Sequence, residues 1–155
     1  VGIGKAAELA QNTMAERSAK EIALRDHLID RILAEIPYAR LNGDRHDRLP
    51  NNVNICFRYI EGESMLILLD QLGVCASSGS ACTSGSLDPS HVLMAIGLTH
   101  EWAHGSLRLT VGDFTTDEDI DYILEKLPPV IERLRMLSPL YNTYLKEQKE
   151  KQAVK

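Results

Sequence analysis

The sequence lacks the features that mark several large classes of protein. Its formal net charge is −5, so it has no basic excess for non-specific nucleic-acid binding. No apolar run approaches the length of a membrane span. The three cysteines are odd in number and irregularly spaced, which is typical of a reducing cytoplasm rather than of a disulfide scaffold. The sequence therefore predicts a cytoplasmic protein with neither nucleic-acid nor membrane partners.

The chain also lacks internal repeats, a charged-then-apolar signal segment and an initiator methionine. Its 155 residues predict one domain with a sizeable core, and 44% of them are apolar, which is ordinary for a globular protein. The chain begins at Val1 in the middle of a pattern. We therefore expect a segment that was cut from, or completes, something longer.

A long amphipathic helix is predicted at the start of the chain, over residues 5–36. Apolar side chains recur at helical spacing from Ile22 to Ile36, and Pro37 follows as a stop signal. The helix is either continuous or broken once, and its first part, residues 6–19, has only a thin apolar stripe. That part is therefore either mostly solvated or in contact with something outside this chain.

The remaining segments predict a small sheet covered by helices. Alternating apolar and polar residues predict strands over residues 53–59 and 107–111, with Cys56 on the polar side of the first. A buried helix is predicted over residues 64–72, and residues 40–52 are predicted to form a loop. We therefore predict an α/β or α+β layer of about three strands. The other predicted elements are a short strand at residues 74–76, a helix that starts at Asp88 and Pro89 and ends before Gly97, a helix that starts at Thr115 or Thr116 and kinks at Pro128 and Pro129, and a charged tail over residues 141–155 that is frayed or disordered.

Residues 76–87, ASSGSACTSGSL, form a stretch of small side chains with one thiol. Such side chains bury little apolar area, and Gly79 and Gly85 free the backbone, so we predict a mobile loop that carries Cys82. A cysteine on such a loop is either a reactive thiol that travels or an incidental surface residue. Cys75, just before the loop, is expected to pack as a small hydrophobic residue.

Arg108 is the one charged residue in the predicted strand LRLTV. A charge among apolar neighbours must be paired or must face a ligand. The planar guanidinium binds a carboxylate through two parallel hydrogen bonds, which makes Arg108 a candidate substrate-binding residue. The alternative is an edge-strand arginine that pairs with an acidic side chain of the protein.

The segment HEWAH at residues 100–104 matches the H-E-x-x-H pattern of zinc peptidases. That chemistry needs a helix with both imidazoles on one face, and a third ligand. Two glycines bracket the segment closely, so a helix here has little more than one turn. We therefore predict a connector and no metal site. The rival interpretation is a non-catalytic thiol- or metal-binding interaction module that uses Cys82, His100 and His104.

Two stretches, SSGSACTSGSLDPSHVL and SLRLTVGDFTTDEDID, resemble the C-terminal part of class I cysteine desulfurases, the NifS/IscS group. The resemblance implies the small C-terminal domain of a pyridoxal-phosphate (PLP) enzyme of the aspartate-aminotransferase fold type. It further implies a homodimer that converts L-cysteine to L-alanine and passes the sulfur, as a persulfide, to an iron–sulfur scaffold protein. Cys82 matches the family's persulfide-forming cysteine, and Arg108 matches the residue that binds the substrate carboxylate.

The chain departs from this family in one respect. The lysine that binds PLP, with its neighbouring histidine, lies upstream of every residue present here, and none of the seven lysines matches its motif. The resemblance therefore implies that this chain alone binds no PLP and does not desulfurate cysteine. The resemblance also implies three parts of the chain. These are a helix over residues 1–36 that links to a missing large domain, a small domain over residues 37–140 and a tail over residues 141–155.

Overall fold

The computed structural model describes residues 1–78 and 89–153. Over these ranges the chain forms six α-helices and three β-strands. The predicted loop cysteine, Cys82, and the predicted helix start, Asp88, lie outside the described residues. The elements in chain order are α1 (Gly2–Glu35), β1 (Ala39–Leu41), β2 (Asn52–Phe57), α2 (Gly62–Gln71), α3 (His91–Ala95), α4 (His100–His104), β3 (Ser106–Thr110), α5 (Asp117–Leu137) and α6 (Pro139–Ala153).

The three strands form one antiparallel sheet in the order β1-β2-β3. Leu41 on β1 lies opposite Ile55 on β2, and Val53 on β2 lies opposite Leu109 on β3. Because successive side chains point to opposite faces of a strand, these apolar residues share one face of the sheet. The residues between them form the other face, which is mainly polar.

The hydrophobic core lies on the apolar face of the sheet. Phe57 is the largest of its fully buried side chains. Burial of apolar surface contributes about 25 cal/mol per Å², so this layer supplies most of the stabilisation of the fold. The core side chains come from α1 (Leu24, Leu28, Ile29, Ile32), β2 (Val53, Ile55, Phe57), α2 (Met65, Leu69), β3 (Leu107, Leu109) and α5 (Ile120, Ile123, Leu124, Leu127, Val130, Ile131).

Helix α1 is continuous over 34 residues, so it is about 51 Å long at 1.5 Å per residue. Its buried residues begin at Glu21, and the residues before that are exposed or half-buried. Lys20 contacts the rest of the chain by donating a hydrogen bond to the Asp113 carbonyl at 2.7 Å. Residues 6–19 are thus mostly exposed in this chain, and their contact with something outside it stays a prediction.

The third strand of the sheet is not where the sequence predicted it. Residues 74–76 form no strand, because the Val74 N–H still donates to the Leu69 carbonyl at the end of α2, at 3.0 Å. The third strand is instead β1, within the predicted loop over residues 40–52 and the residue before it. Three residues are too few to show an alternating pattern, and β1 is defined by its pairing with β2.

The prediction that Cys75 is buried is wrong, because its side chain is exposed. It lines a shallow cleft of about 420 Å³ between α2 and the segment that follows it. Three of its lining residues, at positions 74–76, belong to no strand. The other lining residues are Leu66, Ile67, Asp70, Gln71, Val74 and Ala76.

The charged tail is helical as far as it is described, contrary to the prediction of a frayed or disordered segment. α6 is mostly exposed, but its Tyr144 ring stacks on Tyr59 with ring centroids 5.1 Å apart. The Tyr144 hydroxyl also lies 3.0 Å from that of Tyr38. These aromatic contacts hold the start of α6 against the domain.

The predicted start of α5 is confirmed. Thr116 caps it by accepting a hydrogen bond from the Asp119 N–H at 3.2 Å, and Asp119 accepts in return from the Thr116 N–H. The helix continues through Pro128 and Pro129. The helix predicted from Asp88 begins later, at His91, because Ser90 before it has an extended ψ of 120°.

The segment between α3 and β3 contains a predicted helix end and a predicted connector. Gly97 follows α3 with a φ of +88°, as the predicted helix end requires. The connector before β3 contains the one-turn helix α4.

Among the described residues, no helix combines the length and apolar character needed to cross a membrane.

Candidate functional site

Arg108 lies in the middle of β3, on the face of the sheet opposite the core, and its side chain is exposed. Its neighbours Leu107 and Leu109 point into the core, so the alternation of the strand turns Arg108 outward. No carboxylate of the described residues lies within ion-pair distance of it. The alternative that Arg108 pairs with an acidic side chain is therefore not seen in the described part of the chain.

Ser77 fixes the backbone on the outer side of Arg108. The Ser77 N–H donates to the Arg108 carbonyl at 3.1 Å, and the Arg108 N–H donates to the Ser77 carbonyl at 2.6 Å. One residue farther along, the buried Ser106 hydroxyl donates to the Ser78 carbonyl at 2.6 Å. These bonds hold the chain that leaves α2 beside β3 at residues 77 and 78.

The polar face next to Arg108 contains a network of amides. Asn54 lies directly opposite Arg108 on β2. Asn42, just after β1, donates from Nδ2 to Asn54 Oδ1 at 2.5 Å and lies 3.0 Å from the Cys56 sulfur. Asn42 is only 5% exposed, so these contacts hold its amide in place.

Cys56 lies on this face but is fully buried, because a small second cluster covers it. Leu93, Leu98 and Ala103 form that cluster, from α3, α4 and the link between them. Burial raises the pKa of the Cys56 thiol, although the hydrogen bond from Asn42 acts in the opposite direction. Cys56 is therefore an inert thiol at neutral pH, which leaves it out of any thiolate chemistry.

The two sequence-predicted site residues can be placed only in part. Arg108 is exposed on the polar face, whereas Cys82 lies outside the described residues. Their proximity therefore stays a prediction. Sequence reasoning missed Asn42 and Asn54, and the only available signal was the alternation of Asn54 and Cys56 with apolar residues in β2.

The glutamate of the H-E-x-x-H segment, Glu101, forms an ion pair with Arg58. Glu101 accepts two hydrogen bonds from Arg58, at 2.8 and 3.3 Å, so it is held by an ion pair. The rings of His100 and His104 lie 6.3 Å apart on α4. Across residues 1–78 and 89–153, no three histidine, cysteine or acidic side chains are grouped as metal ligands.

The lysines of the described chain do not fit a PLP-binding role. PLP requires a lysine amine inside a pocket, whereas no lysine of the described ranges is buried. Lys5 pairs with Glu8 at 2.8 Å on α1, and Lys126 pairs with Glu125 at 2.6 Å on α5.

The comparisons with known proteins agree on a family. The aminotransferase class-V family matches residues 1–123. Cysteine desulfurase IscS of Clostridium botulinum is 56% identical over 153 residues, which make up 97% of this chain and 38% of that protein. Cysteine desulfurase IscS 1 of Archaeoglobus fulgidus is 57% identical over 141 residues, 91% of this chain and 37% of that protein. The chain thus spans less than two fifths of these curated relatives.

Among solved structures, a NifS-like protein from Rickettsia africae matches with a TM-score of 0.73 at 25% identity, over 84% of this chain and 33% of that one. The predicted resemblance to the NifS/IscS group is therefore confirmed. The predicted fold class, a mixed α/β layer of three strands related to PLP-dependent aminotransferases, is confirmed as well.

Proposed function

The chain belongs to the aminotransferase class-V family, and we propose that it is the C-terminal part of a cysteine desulfurase that converts L-cysteine to L-alanine. The observation that carries this proposal is 56% identity to the IscS cysteine desulfurase of Clostridium botulinum over 97% of the chain. Residues 1–36 link this part to a large domain outside the chain, and residues 37–140 form the small domain.

Arg108 binds the carboxylate of the substrate in this proposal. Its guanidinium is exposed and has no acidic partner among the described residues, so it is available for a ligand. A bidentate contact would hold one end of L-cysteine rigidly while its sulfur reacts at the other end. The ordered β3 backbone supports this role, because it positions the arginine before the substrate arrives.

Cys82 takes the sulfur. Its thiolate attacks the substrate sulfur, a sulfur–sulfur bond forms, and the substrate's carbon–sulfur bond breaks. The electron pair of that bond goes to the carbon, which takes a proton to give L-alanine. The enzyme is left with a persulfide, a reversible form suited to delivery, and the balance needs no external oxidant or reductant.

PLP supplies the electron withdrawal that carbon–sulfur cleavage needs, and its lysine comes from outside this chain. We therefore expect this chain alone to be inactive. The proposal also includes an iron–sulfur scaffold protein as sulfur acceptor, a homodimeric full-length enzyme and a cytoplasmic location. These three parts of the proposal rest on the family resemblance.

The test is persulfide formation in the full-length enzyme with Cys82→Ser. The variant should lose persulfide formation and sulfur transfer, because Cys82 is the one cysteine in the sequence of the small-residue segment, residues 76–87. Cys75→Ser is the matched control, since Cys75 is exposed and close in sequence. It should form persulfide at the wild-type rate.

Two results would each overturn one part of the proposal: the first the role of Cys82, and the second the inactivity of the isolated chain. One is sulfur transfer by Cys82→Ser at the wild-type rate. The other is release of alanine and sulfide from L-cysteine by the isolated chain with added PLP, which would show that the chain needs no outside lysine.

A further inference from the structure

The polar face of the sheet carries more than one ligand-binding group. We propose that Asn54 is a second carboxylate-binding residue beside Arg108, and that Asn42 positions the Asn54 side chain. The inference rests on the proposed function, because it needs a substrate carboxylate at Arg108.

The first step is the pairing of Asn54 with Arg108. Both backbone polar groups of Arg108 bond to Ser77 on the outer side of β3, so they point away from β2. Asn54 and Arg108 are therefore an antiparallel pair of the non-hydrogen-bonded kind. In such pairs the Cα atoms lie about 4.5 Å apart and the side chains approach more closely than in hydrogen-bonded pairs.

The second step is the orientation of the Asn54 amide. Its Oδ1 accepts the hydrogen bond from Asn42 at 2.5 Å. Its Nδ2 donates no hydrogen bond to any described residue. It is also not among the buried polar atoms of the described residues that lack a partner, so it reaches solvent. An amide with its acceptor occupied presents two free N–H groups. On this face Asn54 is paired with Arg108, whose guanidinium also has no acidic partner in the described part of the chain.

The third step is the rigidity of Asn42. Its N–H donates to the Asn54 carbonyl at 2.9 Å, and its own carbonyl accepts from Arg48 at 3.0 Å. Its side chain also donates towards Cys56 at 3.0 Å. A residue that is 5% exposed and bonded through backbone and side chain holds the Asn54 amide in one orientation before any ligand arrives.

A carboxylate fits this donor set. Its two oxygens offer about four lone-pair positions, of which a bidentate guanidinium uses two. Asn54 Nδ2 donates to a third. A neutral carboxamide fits worse, because its NH₂ group would face the N–H donors of Arg108 and Asn54. The pair therefore selects an amino acid with a free carboxylate over its amide.

The test is calorimetric binding of L-alanine and of L-alaninamide to the full-length enzyme and its variants. Asn54→Ala should weaken L-alanine binding about tenfold, the loss of one hydrogen bond to a charged group. Binding of L-alaninamide should change little. Asn52→Ala is the matched control, because Asn52 lies on the same strand and face but opposite Thr110. It should bind L-alanine as the wild type does.

Asn42 is tested by its coupling to Asn54. Asn42→Ala should weaken L-alanine binding in the wild type and add nothing in the Asn54→Ala background, since it acts through that amide. A merely structural role would weaken binding equally in both backgrounds. Thermal unfolding of each variant checks that it is folded.

The outcomes separate this inference from the proposed function. If Arg108→Ala loses L-alanine binding while Asn54→Ala binds like Asn52→Ala, the inference is overturned and the proposed function stands. If Arg108→Ala binds L-alanine as tightly as the wild type, the proposed carboxylate site fails, and the role of Asn54 fails with it.

Discussion

The two faces of the sheet differ in what their side chains contact. On one face Val53, Ile55 and Phe57 pack against α1, α2 and α5 in the core. On the other face Asn54 of β2 alternates with these residues, and it lies opposite Arg108 of β3, whose side chain is exposed. The same six-residue strand β2 therefore contributes to the core and to the candidate site.

This difference separates stability from chemistry. The apolar face stabilises the fold through the apolar area that it buries. That area does not change when one polar side chain on the other face is replaced. The polar face holds donors in fixed positions because its strands are anchored from the other side. Substitutions on the first face should therefore change the free energy of unfolding, and those on the second should change ligand binding.

The largest expected effect is on the apolar face. Phe57→Ala should lower the free energy of unfolding by about 3–5 kcal/mol, because it leaves a cavity in the core in place of a large, fully buried side chain. Thr110→Ala, at an exposed position of the polar face, should change it by no more than about 0.5 kcal/mol. Urea unfolding of both variants measures the contrast. Equal losses would show that the two faces contribute alike.

A smaller effect is expected where β2 and β3 meet. A Cβ atom on Gly105 would lie 1.9 Å from the Phe57 carbonyl oxygen, so Gly105→Ala forces the backbone apart. The expected loss of unfolding free energy is about 1–3 kcal/mol. Gly112→Ala is the control, because a Cβ there meets no atom within 4 Å. A Gly105→Ala protein as stable as Gly112→Ala would contradict the close approach.

A further contrast concerns two thiols and needs no change in stability. Cys56 is buried with a raised pKa, whereas Cys75 is exposed. Iodoacetamide at pH 8 should therefore modify Cys75 quickly and Cys56 only on unfolding. Mass spectrometry of the labelled peptides, with and without urea, measures both rates. Fast labelling of Cys56 in the folded protein would show that the polar face opens there.

Much of the fold follows from local sequence patterns. The stripe from Ile22 to Ile36, the alternation in β2 and β3, and the capping box at Thr116 are signals that neighbouring residues carry. β1 was missed because its three residues are a strand only through pairing with β2. The exposure of Cys75 was likewise missed, because cysteine is among the residue types most often buried and no local pattern marks this exception.

The candidate site was predictable only in part. Arg108 stands out as a charge in an apolar strand, so its side chain could be selected from the sequence alone. Asn42 and Asn54 are 12 residues apart and meet through a hydrogen bond that depends on the register of β1 and β2. That register is a property of the fold, and ordinary asparagines carry no local sign of it.

The most direct test compares two exposed arginines on the polar face in the full-length enzyme. Arg108→Ala should lower kcat/KM for L-cysteine about 100-fold or more, because the proposed contact with the substrate carboxylate is lost. Arg40 lies on the same face but opposite Cys56. The kcat/KM of Arg40→Ala should stay within about threefold of the wild-type value, since the distance of Arg40 from Asn54 and Arg108 limits its effect. Desulfurase activity that falls in Arg108→Ala alone, with unchanged thermal stability, is the predicted result. Equal activity of the two variants would contradict the account.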